Sequence, residues 1–158
     1  MSSVYDLALS EYYERESGSD PCQDKSLMEI MCLEYEFIVD AMNGESWNSY
    51  ISSLLIPEVC NVYIEKSTAL FMDNHVLPGI PRFRIRMANT VMYGGISEEM
   101  QFYLANKNTY DMDELLKYPF QARLYLLDVP DGDRLTDEIF DRVKKKFFGK
   151  NEPGQENR

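Results

Sequence analysis

Residues 77–93 read LPGIPRFRIRMANTVMY, and the choice between helix and strand there sets the architecture of the whole chain. Pro78, Gly79 and Pro81 hold the start in extended and turn geometry, because proline fixes φ and biases the residue before it away from helix. From Arg82 the residues alternate, with Arg82, Arg84 and Arg86 on one side and Phe83, Ile85 and Met87 on the other. A period of two is the pattern of a strand with one buried face. Gly94-Gly95 then supplies a tight turn that tolerates positive φ. The expectation is a central strand over 82–93 with a sheet built around it.

Downstream, 96–104 supports two readings. It returns as the second arm of a hairpin, or Ser97 caps a helix whose first turn carries Glu98 and Glu99. Residues 111–118 predict a short helix stopped by Pro119, and 120–129 (FQARLYLLDV) a strand apolar enough to lie inside a sheet. A last helix over 136–148 is expected, with Thr136 as its cap, Lys144, Lys145 and Lys146 near its end and Gly149 after it.

Upstream the signals are helical. Ser26 and Glu29 form a capping box that opens a helix to Met42, stopped by Asn43-Gly44. Trp47, Tyr50, Ile51, Leu54 and Leu55 recur at helical spacing over 46–56, and Pro57 ends or kinks that helix. Residues 58–74 support two readings: Val59, Val62 and Tyr63 fit a helix, whereas the β-branched run Val59–Ile64 favours a strand. Val4, Leu7, Ala8 and Tyr12 give residues 4–13 a short apolar stripe, followed by a linker over 16–21. The fold class predicted is one α+β domain over 25–149. It has a small, mostly antiparallel sheet carrying 82–93 and 120–129, packed with three to five helices. An acidic segment, 1–24, precedes it, and a disordered tail, 150–158, follows. Leu33, Phe37, Leu54, Phe83, Ile85, Leu124, Leu126 and Val143 are the predicted core.

The chain has 158 residues and a formal net charge of −11, and the charge is unevenly spread. Residues 1–60 hold twelve Asp or Glu against Arg15 and Lys25, whereas 61–158 are nearly balanced, with fifteen acids and fourteen bases. A one-signed surface steers opposite charge and repels nucleic acid. No apolar run approaches the ~18 residues of a membrane helix, and no basic-then-apolar leader opens the chain. Cys22, Cys32 and Cys60 are odd in number and lack C-x-x-C spacing, so free thiols in a cytoplasmic, reducing setting are expected.

The residues offer little for catalysis. His75 is the single histidine, in a loop before the prolines. No phosphate-binding glycine loop, nucleophile elbow or H-E-x-x-H helix is present. Asp128, Asp131 and Asp133 cluster about Gly132, but Ile139 stands where an EF-hand places its twelfth-position glutamate. No catalytic residue, cofactor or metal is therefore assigned.

The expected function is that of a non-catalytic acidic binding protein, of inhibitor, immunity or accessory-factor type, whose N-terminal third engages a basic protein surface. Its candidate partner-binding residues are Glu29, Glu36, Asp40, Arg82, Arg84 and Arg86. One alternative is a self-assembling structural subunit, viral or phage-like, with the arginine strand of one copy on the acidic helix of the next. Another is nucleic-acid binding through Arg82, Arg84 and Arg86, whose spacing of about 7 Å on a strand approaches that of backbone phosphates. The acidic field disfavours it.

Overall fold

The computed structural model describes residues 25–43, 57–105 and 111–148. They form five helices: α1 (Leu27–Asn43), α2 (Pro57–Asp73), α3 (Arg82–Ala105), α4 (Met112–Leu126) and α5 (Gly132–Phe148). Among the described residues there is no strand, so the expected α+β class and its antiparallel sheet are overturned. The helices meet in a ring: α1 lies on α5, α5 on α4, α4 on α3, α3 on α2, and α2 back on α1.

The capping box holds. Ser26 N–H donates to Glu29 Oε1 and Glu29 N–H to Ser26 Oγ, both at 3.1 Å, and α1 runs from there as expected. Pro57 does not end a helix; it begins α2, where its missing N–H costs nothing. The β-branched run 59–64 lies within α2, because Val59, Tyr63 and Ile64 reach the core at helical spacing.

The larger correction concerns 82–105. The prolines lie in and after a run of turns over 74–79 rather than an extended lead-in, and Pro81 then accepts from Arg84 N–H and Ile85 N–H and so starts a helix. That helix passes through Gly94-Gly95 without a turn and continues through Ser97, so both the hairpin and a separate Ser97-capped helix are replaced by one continuous element. Ile85, Ala88, Asn89, Met92, Tyr93, Ile96 and Met100 face inward with a period near 3.6.

Residues 120–126 likewise belong to α4, which does not stop at Pro119. Asp111 caps α4 by accepting from Asp113 N–H at 3.0 Å. Pro119 and Gly95, two apparent helix breakers, explain each other. A Cβ on Gly95 would lie 3.3 Å from the Pro119 ring, so glycine makes room for the proline where α3 and α4 pack. α5 begins at Gly132, four residues before the expected cap, and Thr136 Oγ1 instead donates to the Gly132 carbonyl at 2.7 Å.

Of the predicted core, Leu33, Ile85, Leu124 and Val143 are buried and Phe37 is half-buried. Phe83 and Leu126 are exposed, because a helix turns alternate residues to different sides. Leu54, the helix expected over 46–56, residues 1–24 and the tail 150–158 lie outside the described residues. The ring is filled by aromatic contacts: Tyr35 stacks on Phe140 at 3.7 Å, and Phe120 meets both edge-on at 5.9 and 5.4 Å.

Candidate functional site

At the middle of the ring sits a polar group that the sequence reading missed. Arg123 of α4 and Glu34 of α1 pair through Nη2–Oε1 at 2.7 Å and Nη1–Oε2 at 2.9 Å, with both side chains fully buried. Glu34 Oε2 also accepts from Ser67 Oγ at 2.6 Å and from the Tyr93 hydroxyl at 3.1 Å. Arg123 Nη1 donates to Asn89 Oδ1 at 3.1 Å, and Asn89 Nδ2 donates to Thr68 Oγ1 at 3.0 Å. The guanidinium lies over Phe71 and Phe120, at 4.9 and 5.6 Å from their ring centres. Only Arg123 Nε has no partner among the described residues. Four helices thus converge on one ion pair. A buried charge is tolerated only when paired and hydrogen-bonded, and this one nearly saturates both ions. The available signal was Arg123 itself, the one basic residue in the apolar run FQARLYLLDV.

The six residues singled out from the sequence do not share a surface. Arg82 and Arg86 lie one helical turn apart and converge on Glu65 of α2, at 2.6 and 2.5 Å. Arg84 points elsewhere, to the Leu126 carbonyl at 3.0 Å and Asp128 Oδ2 at 3.2 Å. Hydrogen bonds from Arg86 and then Arg82 hold the Glu65 carboxyl below its usual range. Glu36 is largely buried and receives Lys146 Nζ at 3.1 Å, Glu29 is occupied with its cap, and Asp40 is exposed. The three arginines therefore find carboxylates within the chain, and on a helix they lack the common face that a phosphate ladder needs.

Glu29, Glu36, Lys25, Cys32, Leu33, Arg142 and Lys146 line a cleft of about 260 Å³ between α1 and α5. Burial pushes the Cys32 thiol above its ordinary value, with Arg142 opposing, which makes it a poor nucleophile. His75 is exposed in the turn after α2, at φ 50°. Asp128 and Asp131 adopt positive φ in the turn between α4 and α5, and no cluster of His, Cys, Asp or Glu among the described residues is arranged to hold a metal. No described helix is long and apolar enough to cross a membrane.

The exposed surface is distinctive where α3 meets α4. Arg84 at the start of α3 reaches Leu126 at the end of α4, and Gly95 touches Pro119 further along, so the two helices run antiparallel. Phe83, Met87 and Val91 recur at i, i+4 and i+8 on the outer side of α3, exposed by 65, 62 and 48%. Tyr118, Tyr125 and Leu126 are exposed on α4 by 61, 82 and 43%. From Met87 to Gly94 every exposed residue of α3 is uncharged, and so is every exposed residue of α4 from Tyr118 to Leu126. On a chain of net charge −11, that is an unusual strip.

Compared with known proteins, the chain matches no family model, no curated protein and no solved structure.

Proposed function

We propose that this chain is a non-catalytic binding protein that works through protein–protein contacts on the outer face of α3 and α4. The observation that carries this reading is the set of exposed large side chains Phe83, Met87, Val91, Tyr118, Tyr125 and Leu126, with no exposed charge from Met87 to Gly94 or from Tyr118 to Leu126. The centres of protein interfaces are depleted of charge and enriched in Tyr, Phe and Met, and contiguous exposed apolar surface is the usual mark of a docking site. The ionisable groups in the middle of the ring are sealed from solvent and occupied with one another, which suits holding helices in place rather than meeting a substrate. Of the α1 acids expected to meet a basic partner, Glu36 is bound to Lys146 and Glu29 closes its own helix cap. The apolar strip, rather than these acids, makes the contact.

Photo-crosslinking in the native cell tests this. A benzoylphenylalanine at Met87 or Tyr118 should yield protein adducts, whereas the same group at Asp141, exposed on α5, should yield few. Equal adducts from all three positions, or none from the first two, would contradict the reading.

A further inference from the structure

The described residues of the chain give no reason for Gly94. It sits within α3, where glycine costs about 1 kcal/mol relative to alanine. Its φ is not positive, and a Cβ built on it would meet nothing within 4 Å. Gly95 beside it makes room for Pro119; Gly94 makes room for nothing among the described residues. At 100° per residue, Gly94 falls on the same outer side of α3 as Phe83 and Met87. A helix glycine on an exposed apolar face is a notch into which another backbone or side chain can settle.

We propose that the occupant of the α3–α4 face is a second copy of this chain, packed about a two-fold axis at the Thr90–Val91 peptide. This inference rests on the reading of that face given above. Met87 and Gly94 lie equidistant from that peptide in sequence. In an antiparallel, isologous crossing of the two α3 helices, each Met87 therefore seats over the Gly94 of the other copy. Tyr118 and Leu126 of each α4 flank the crossing. The six large side chains expose roughly 700 Å² per copy, close to the ~800 Å² that each partner buries in a standard interface. Charge selects the same occupant. Two chains of −11 repel over most of their surfaces, and the uncharged strip is where they approach without placing acid on acid. Glu98, exposed on the same side of α3, is set by that two-fold opposite position 83 of the other copy, beside Arg82 and Arg84 rather than beside another acid.

Light scattering over a concentration series tests the proposal with wild type, Gly94→Leu and Val91→Glu. Wild type should reach twice the 18.5 kDa chain mass at concentrations of roughly 10–100 µM. Gly94→Leu fills the notch and should weaken association by about tenfold or more, while the melting temperature of the dilute protein rises, because leucine is the better helix former. That opposite movement separates a contact from general damage to the fold. Val91→Glu, which brings two like charges to the axis, should give a folded monomer by circular dichroism. Wild type that stays monomeric to ~200 µM overturns the proposal, as does a dimer that neither substitution weakens. A monomeric wild type whose Met87 and Tyr118 still crosslink to a different protein rejects the second copy and keeps the binding face. A monomer without adducts rejects both.

Discussion

Arg123 and Glu34 meet through two parallel hydrogen bonds, at 2.7 and 2.9 Å, and neither side chain reaches solvent. They stand 89 residues apart in sequence and tie α1 to α4. Ser67, Asn89 and Tyr93 bring α2 and α3 to the same point. The planar guanidinium accepts only a narrow range of carboxylate positions, so the pair fixes the mutual setting of the helices more than it adds net stability.

Removing one partner strands the other ion in the core. Arg123→Met or Glu34→Leu alone should each lower stability by about 3–5 kcal/mol in urea titrations. The double change Arg123→Met with Glu34→Leu should cost clearly less than the two single changes added together. Losses that simply add would show that the two side chains are not energetically coupled.

Phe83 and Ile85 separate helix from strand most simply, since a strand would bury both. Ile85 is buried and Phe83 mostly exposed, so Ile85→Ala should cost about 2–5 kcal/mol in dilute protein, with Phe83→Ala close to neutral. Equal losses would restore the strand.

What the sequence made legible was local. The Ser26–Glu29 box places α1 within a residue, and the acid-to-base gradient of α5 finds that helix if not its first turn. Residues 82–105 misled because α3 is apolar on two sides. Ile85, Met92 and Ile96 point inward while Phe83, Met87 and Val91 point outward, so no single stripe stands out and the Arg–apolar alternation dominates the first six residues. Gly95 and Pro119 look like breakers when read singly, and only their packing against each other shows why both sit inside helices. The apolar face was hidden in the same misreading, since strand pairing scatters positions that helical spacing aligns.

Glu65 should make its bridge between α2 and α3 sensitive to acid. Its carboxyl is held below the ordinary value by Arg86 and Arg82, so its contribution is present above the unfolded-state pKa of about 4.3 and is lost as pH falls through the lower folded value. Wild type should therefore be more stable than Glu65→Gln at neutral pH, with the gap narrowing below about pH 4. A gap independent of pH would place Glu65's role outside these ion pairs.

Cys32 and Cys60 should be sluggish thiols. Burial raises both pKa values, so little thiolate forms near neutral pH. Iodoacetamide labelling followed by peptide mass spectrometry should find both modified at least about tenfold more slowly in the folded protein than in urea. Native labelling as fast as in urea would contradict the packing of α1 against α5 for Cys32, and the partial burial of α2 for Cys60.

The sealed ion pair, the packing of Gly95 on Pro119 and the outer apolar face all depend on α3 being one unbroken helix. Residue-resolved amide hydrogen exchange across Arg82–Ala105 measures that directly. The predicted result is continuous protection from about Arg86 to Met100, with outward residues such as Met87 and Val91 protected along with their inward neighbours, because the hydrogen bonds run within the helix. Protection that alternates from residue to residue, or that collapses at Gly94-Gly95, would contradict it.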